Sequence, residues 1–379
     1  MNPTNPHTPT RRGFPMKNCS PFVLLMLCLA SISCAAAPGP PGWKSVDQEV
    51  RRLMRHHPLM LRGAAVYVAK TDGTPIYEHY YGRYDENTRL PLASASKLLS
   101  GVAVMTLVDT GRLDREAPIS TYLPEFSAEN AGHVKSRLTI DQLFSMTSGF
   151  PGATIRGTVL SDLDLTLAEA VRHIACCVKL KDLPGRKFRY GGYGMHVVGR
   201  IAEVESDKPY DQFFDDAVNE PLGTSITWNG LGKTNNFRPS GSGEATLRDY
   251  ARVLEVVATK GKSHGIRLLS ESAVNSMLVE RTTGLPSQSI PSDAKKRGFG
   301  YGFGLWIEQR DQNGHATVVS SPGAFGFTPW IDFEDGYYAI IMVKGIRGPL
   351  VDDLYRVRDA IDQAVRAESG PAPSVSEPH

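Results

Sequence analysis

The stretch Pro91–Val108 reads PLASASKLLSGVAVMTLV, and it decides the interpretation of the whole chain. Ser94 and Lys97 lie three positions apart at its start, directly before the apolar run Leu98–Val108, which predicts a helix. If the helix begins near Ser94, both side chains lie on one face, one turn apart. The stretch therefore predicts a serine and a lysine in contact at a helix N-terminus.

This arrangement favours a serine nucleophile that works without histidine. Backbone N–H groups and the positive end of the helix dipole favour developing negative charge at Ser94. The same positive end, together with burial, lowers the pKa of Lys97, so the amine can accept the serine proton. The alternative is that Lys97 is a solvated lysine on a helix surface.

Two other segments resemble nucleophile motifs. Ser292–Lys295 (SDAK) repeats the spacing but lies in the polar, proline-containing stretch Leu285–Arg297, which predicts a loop. Gly261–Gly265 (GKSHG) fits the G-x-S-x-G elbow, which needs a strand before it. Because Leu247–Thr259 has helical periodicity instead, we expect these glycines to end a helix and turn the chain.

Composition excludes several classes of protein. The 379 residues carry a net charge of +2, and no basic run contains interleaved aromatics, so no nucleic-acid partner is predicted. The ten histidines are scattered without an H-E-x-x-H pattern or a Cys/His metal spacing. We therefore predict no metal and no cofactor, and we interpret His56-His57 as a polar helix surface.

The N-terminus resembles an export signal. Pro21–Ser33 is apolar but too short for a spanning helix, and the small residues Cys34–Ala37 follow it. Residues 1–37 are thus predicted to be a signal segment and residues 38–43 a linker, with a periplasmic or secreted product. A Ser occupies the position where a lipobox usually has Leu, which disfavours a lipid anchor at Cys34. A start at Met16 and a twin-arginine route both stay open.

Cys176 and Cys177 are adjacent in an apparently helical stretch, while the other three of the five cysteines fall in the signal segment. Neighbouring cysteines cannot form an ordinary structural disulfide without strain. We therefore interpret this pair as two small buried hydrophobic side chains.

The secondary-structure pattern places strands at both ends of the chain. Ala64–Lys70 and Pro75–Arg83 predict a hairpin after the helical segment Val46–Met60. Near the C-terminus, strand patterns return and an amphipathic helix, Val351–Glu368, closes the chain. The four predicted C-terminal strands are Gly304–Arg310, His315–Ser321, Thr328–Phe333 and Tyr337–Lys344.

These elements predict an α/β protein of the α+β sandwich type. Its antiparallel sheet is built from both termini and flanked by helices, and an all-helical domain is inserted. The predicted α/β domain comprises residues 44–110 and 232–368, the helical domain residues 111–231, and a disordered tail residues 369–379. The active site is expected in the cleft between the two domains.

Several segments in this order resemble the serine β-lactamase and penicillin-binding-protein superfamily. Ser94–Lys97 is similar to its S-x-x-K motif, Leu138–Gly149 (LTIDQLFSMTSG) to the segment ending in T-S-G, and Pro184–Tyr190 (PGRKFRY) to the approach to its catalytic tyrosine. Ser321–Gly323 falls where the family carries K-T-G or H-x-G. The likeness covers about Val46–Arg366 and is greatest for the class C-like branch that includes family VIII carboxylesterases.

The resemblance implies a role for each matched residue. Ser94 would form the acyl-enzyme and Lys97 would accept or relay its proton. Tyr190, beside a cation, would have a lowered pKa and act as base and then as acid. The N–H groups of Ser94 and Ala324 would form the oxyanion hole on the strand of Ser321 and Gly323.

Plainer interpretations of the same positions stay open. Tyr190 could be a buried core tyrosine, and Gly323-Ala324 could be an ordinary strand end. Three further aromatic residues are interpreted as core or as pocket lining, with core preferred: Tyr301, Phe325 and Trp330.

Two departures from the family pattern bear on the substrate. Tyr190-Gly191-Gly192 lacks the asparagine of Tyr-x-Asn, and Ser321 replaces the cation that meets a substrate carboxylate. Loss of a charge-assisted hydrogen bond costs about 1.5–3 kcal/mol of binding to an anionic substrate. We therefore predict an exported serine hydrolase of neutral, carboxylic esters.

The alternatives are a β-lactamase or D-Ala-D-Ala carboxypeptidase, an amidase of small oligomers, and a non-catalytic sensor. In each catalytic case the partner is a small molecule, and the oligomeric state is not predicted. Membrane contact would come only through an N-terminal anchor.

Overall fold

The computed structural model describes residues 41–152 and 157–369. The predicted signal segment and tail lie outside these residues, except that Ser369 ends the last helix. Trp43, the last residue of the predicted linker, is fully buried, and its ring stacks on Tyr77 at 4.6 Å. Among the described helices, none has the length and apolar character that a bilayer span requires.

A seven-stranded antiparallel sheet forms the centre of the fold, in the order β2-β1-β13-β12-β11-β10-β9. Strands from the two ends of the chain meet in its middle, which confirms the predicted α/β class. The strands that the structure describes are β1 (Gly63–Lys70), β2 (Pro75–Gly82), β3 (Leu90–Pro91), β4 (Phe188–Arg189), β5 (Glu244–Ala245), β6 (Lys262–Ser263), β7 (Ile266–Arg267), β8 (Ser287–Gln288), β9 (Gly300–Tyr301), β10 (Trp306–Arg310), β11 (Ala316–Ser320), β12 (Thr328–Asp332) and β13 (Tyr337–Met342).

Helices flank this sheet, and most of the shorter ones lie between β3 and β5 in the chain. Short 3₁₀ turns occupy Pro41–Trp43, Ala93–Ala95, Ile119–Thr121, Pro124–Phe126 and Val159–Ser161, and a π-helical turn occupies Asp215–Asn219. The described α-helices are α1 (Lys44–His56), α2 (Ser96–Asp109), α3 (Ala128–Ala131), α4 (His133–Ser136), α5 (Ile140–Phe144), α6 (Leu167–Cys177), α7 (Tyr193–Ser206), α8 (Tyr210–Phe214), α9 (Glu220–Leu222), α10 (Leu247–Ala258), α11 (Glu271–Met277), α12 (Ser292–Lys296) and α13 (Arg347–Ser369).

Both faces of the sheet are buried, each in its own hydrophobic core. Because successive side chains of a strand point to opposite faces, Tyr67 of β1 joins one core and Val66 joins the other. Val50 of α1 and Leu354 of α13 cover the Val66 face. Val102 of α2 packs in the core on the Tyr67 side, together with α10. This second core carries the residues of the candidate site.

The cysteine pair differs from its prediction. Cys176 and Cys177 are exposed at the end of α6 and are joined by a disulfide between neighbours. The helix turns Val171 and Ile174 into the core, so its last two positions fall on the solvent side. The two sulfurs and the imidazole of His173 lie within 4.8 Å of one another. This cluster was not predicted from the sequence. The interpretation as buried, unlinked side chains is wrong.

The G-x-S-x-G segment is a turn, as predicted. Helix α10 ends at Ala258, and Gly261 adopts a φ of +111° before the short β6–β7 hairpin. Ser263 is buried, and its hydroxyl donates to Glu255 at 3.0 Å. Ser263 itself ends the two-residue strand β6, and the chain then turns into β7 rather than into a helix, so a nucleophile elbow does not form.

Candidate active site

Ser94 lies in the 3₁₀ turn Ala93–Ala95, which leads directly into α2. The turn is held at its entry, because the amide of Leu92 donates to the carbonyl of Gly243 at 2.8 Å. Ala93 has a φ of +47°, in the left-handed region that disfavours a residue with a Cβ. This constrained turn presents Ser94 to an open cleft.

Lys97 is buried one turn further on, with 4% of its surface exposed. Its Nζ lies 3.0 Å from Ser94 Oγ and donates to the carbonyl of Ser240 at 2.7 Å. Burial, together with a smaller effect of the nearby positive charge of Arg238, lowers the pKa of Lys97 to about 7. The predicted lowering of the pKa is confirmed, with Arg238 as the second cause.

The buried segment Arg238–Gly243 holds α2 in place. The amide of Gly243 donates to Ser96 Oγ at 3.0 Å, and the hydroxyl of Ser100 donates to the carbonyl of Pro239 at 2.6 Å. Together with the bond from Lys97, these contacts fix three successive polar side chains on one side of the helix.

Tyr190 lines the same cleft. It follows β4, which pairs in parallel with β8. Its ring stacks on Trp306 at a centroid distance of 4.9 Å and meets Tyr301 edge to face at 5.7 Å. Lys97 Nζ lies 4.8 Å from the centre of the Tyr190 ring. The structure thus brings Ser94, Lys97 and Tyr190 together.

The phenol of Tyr190 does not have the predicted lowered pKa. Burial raises its pKa, hydrogen bonding to Ser94 and Trp306 offsets this only in part, and the resulting pKa is about 12. The prediction is wrong because it relied on a neighbouring cation, and burial shifts Lys97 toward its uncharged form. The phenol is therefore protonated at neutral pH.

Gly323 and Ala324 lie beside the Ser94 turn. A Cβ on Gly323 would come within 2.1 Å of the carbonyl oxygen of Leu92, so only glycine permits this approach. Ala324 lines the cleft with Ser94. Within the described part of the chain its amide donates no hydrogen bond, as an oxyanion donor requires.

Ser321 is not among the described residues that line the cleft. It is buried, and its hydroxyl donates to the carbonyl of Ser94 at 3.4 Å. Its position therefore supports the turn that carries Ser94. Of the aromatic residues left open above, Tyr301 packs in the core against Tyr190, and Trp330 lies in the core on the opposite face of the sheet.

The cleft has a volume of ≈ 450 Å³, and its walls are mainly apolar. Ser94 and Tyr190 open into it beside one ion pair, between Asp293 and Arg347 at 2.7 Å. The apolar side chains on its walls include Phe299, Trp306, Pro322, Ile346 and Val351.

Sequence reasoning missed part of this site. The second S-x-x-K segment was predicted to be a loop, but Ser292–Lys296 forms α12, whose first residues line the cleft. The prediction is wrong because Arg347, distant in sequence, pairs with Asp293 and supports a helix too short to be stable alone. Trp306 and Arg238 were also missed, since no local motif marks them.

Fold and site together define a serine hydrolase. The sequence profile of the Beta-lactamase family matches residues 46–362, and the chain belongs to this family. The fold of the described residues, with its antiparallel sheet, is the β-lactamase/transpeptidase-like fold.

Individual relatives include an esterase. Esterase EstB of Burkholderia gladioli is 24% identical over 361 residues, covering 79% of this chain and 91% of that protein. A putative β-lactamase from Bacteroides dorei DSM 17855 superposes with a TM-score of 0.76 at 26% identity, covering 85% of this chain and 98% of that one. A family VIII carboxylesterase shares the fold, with a TM-score of 0.64 at 18% identity, covering 84% of this chain and 98% of that one.

Proposed function

We propose that this protein is an exported carboxylesterase that hydrolyses neutral esters through an acyl-enzyme. The observation that carries the proposal is the buried amine of Lys97, with a pKa of about 7, at 3.0 Å from Ser94 Oγ. The mainly apolar walls of the cleft support a neutral substrate. The similarity to Esterase EstB supports an ester rather than an amide.

In the proposed mechanism, Ser94 Oγ attacks the ester carbonyl while its proton passes to Lys97. The amides of Ser94 and Ala324 stabilise the oxyanion, a contribution of about 2.7–4 kcal/mol for each donor. The neutral phenol of Tyr190 protonates the departing alkoxide and regains its proton from Lys97. Water then attacks the acyl-enzyme by the reverse route, which returns a proton to Ser94.

This mechanism assigns Tyr190 as the acid toward the leaving group. Its raised pKa keeps the proton on the phenol at neutral pH, whereas the amine of Lys97 is available as the base. The proposal that the protein is exported rests on the apolar run Pro21–Ser33 alone.

A β-lactamase activity is the second candidate. It is favoured by the family and by the similarity to the putative β-lactamase of Bacteroides dorei. Acylation by a fluorescent penicillin, visible on a gel, would support it.

Covalent labelling tests the proposal. A fluorophosphonate probe should label the wild type on the peptide that contains Ser94, and the purified protein should hydrolyse p-nitrophenyl butyrate. Ser94→Ala should abolish both, whereas Ser292→Ala, which removes the other cleft serine of an S-x-x-K segment, should preserve both. Label on a different residue, or hydrolysis no faster than with Ser94→Ala, would refute the proposal.

A further inference from the structure

The cleft contains one ion pair that the proposed chemistry does not use. Asp293 of α12 and Arg347 at the start of α13 approach to 2.7 Å, with 19% and 14% of their side chains exposed. Of the described residues that line the cleft, these two carry the only charges. A cation therefore lines the same cleft as Ser94, although none stands at position 321.

Arg347 is fixed close to the reacting groups. Its amide donates to the carbonyl of Ala324 at 2.9 Å, which links it directly to the residue proposed as oxyanion donor. Its charge is one of the smaller influences that lower the pKa of Tyr190. Its Nη1 is buried and has no hydrogen-bond partner in the described part of the chain. The guanidinium thus retains donor capacity beyond its bond to Asp293.

Asp293 is held against Arg347 by a second contact between the same two helices. Arg297, which follows α12, lies over the ring of Tyr355 of α13 at 3.7 Å. The Asp293 carboxylate is therefore held next to the guanidinium of Arg347, where it competes with the carboxylate of a substrate. A substrate carboxylate that bound Nη1 would lie beside the Asp293 carboxylate, and two negative charges at one guanidinium repel each other, which is costly in a partly buried site.

We propose that Asp293 determines substrate specificity by neutralising Arg347, so that the cleft accepts esters with uncharged acyl groups and rejects those that carry a carboxylate. This inference rests on the proposed esterase function. It identifies the substrate class through the ion pair rather than through the missing cation at Ser321.

Two single substitutions have opposite expected effects. Asp293→Asn keeps the size of the side chain and removes its charge, so the guanidinium of Arg347 becomes free to bind a substrate carboxylate. Arg347→Gln leaves the Asp293 carboxylate unpaired in the cleft, where it repels a substrate carboxylate. The double variant removes both charges and should resemble the wild type.

The test compares kcat/KM for p-nitrophenyl butyrate and for mono-p-nitrophenyl succinate. The acyl group of the first ends in a methyl group, and that of the second ends in a carboxylate. The succinate-to-butyrate ratio should rise about tenfold in Asp293→Asn and fall several-fold in Arg347→Gln. Asp335→Asn is the matched control, because it breaks a similar pair with Arg366 outside the cleft. Its ratio should stay at the wild-type value.

A ratio that does not change in Asp293→Asn, or one that rises in Arg347→Gln, would overturn the inference. Should Asp293→Asn fail to fold, the Arg347→Gln result decides. Absence of hydrolysis above the Ser94→Ala background would instead refute the proposed function. The inference is then decided by binding of free succinate and butyrate to the Ser94→Ala protein, with and without Asp293→Asn, measured by thermal shift. Only the variant with Asn should gain stabilisation by succinate.

Discussion

Ser94–Lys97 and Ser292–Lys295 both place a serine and a lysine one helical turn apart, and both serines line the same cleft. In the first segment the lysine is buried and contacts the serine oxygen at 3.0 Å. In the second, Ser292 and Lys295 are both exposed to solvent. The comparison teaches that the spacing supplies proximity, whereas burial turns an amine into a base at neutral pH.

The neighbours of each segment explain the difference. Lys97 is enclosed by the Arg238–Gly243 segment and by the ring of Tyr190. It belongs to a helix of 14 residues that is buried for most of its length. Helix α12 has five residues at the edge of the cleft, with solvent on its outer side. The surrounding fold, and not the motif, therefore distinguishes Ser94, the proposed nucleophile, from Ser292.

The largest expected effect comes from removing each lysine in turn. Lys97→Ala should lower kcat for p-nitrophenyl butyrate by roughly three or more orders of magnitude, because Ser94 loses its proton acceptor. Lys295→Ala should change kcat less than about twofold, as expected for an exposed side chain. Steady-state kinetics checks both, with thermal unfolding to confirm folding. Comparable losses in the two variants would break the comparison.

A smaller effect is expected from removing the phenol hydroxyl of Tyr190, whose ring lies beside Lys97. Tyr190→Phe should lower kcat about 10²–10³-fold, because the leaving alkoxide loses its acid. Tyr301→Phe removes a hydroxyl from a ring packed against Tyr190 and should have little effect on kcat. The loss in Tyr190→Phe should be smaller for esters with a good leaving group, such as p-nitrophenol, than for alkyl esters. Equal losses for both leaving groups would indicate a structural role.

The smallest expected effect comes from removing the positive charge of Arg238 near Lys97. Since the base must be uncharged, kcat/KM should fall as the pH drops below the pKa of Lys97, about 7. Arg238→Gln removes a nearby positive charge, which should raise the pKa of Lys97 and move this acidic limb to higher pH by about half a unit to one unit. Arg238→Lys keeps the charge and should leave the limb in place. The pH dependence of kcat/KM measures both, and a shift to lower pH in Arg238→Gln would contradict the argument.

Patterns within short segments of the sequence predicted most of the fold, because interactions between neighbouring residues determine these elements. The hairpin of β1 and β2, the apolar helix after Ser94 and the turn at Gly261 all follow from alternation, periodicity or glycine placement. Ser94, Lys97 and Tyr190 were found because each stands in a motif of the family. The order of these motifs along the chain, rather than any one of them, carried the prediction.

Features that depend on distant contacts could not be predicted in this way. Helix α12 needs Arg347, which follows Asp293 by 54 residues, and the pKa of Tyr190 depends on how deeply the rest of the fold buries its ring. The exposure of Cys176 depends on which face of α6 meets the core. No sequence pattern links Asp293 to Arg347, and their ion pair becomes visible only where two helices meet at the cleft.

The pairing of β1 with β13 has a consequence for biosynthesis. The first strand of the sheet gains one of its two neighbours only after nearly the whole described chain has left the ribosome, as the contact of Thr71 with Gly336 across 265 positions illustrates. Until then, an apolar strand edge remains open to other chains. We expect slow refolding and a dependence on chaperones that shield this edge, since native contacts between distant segments slow folding and prolong exposure to aggregation.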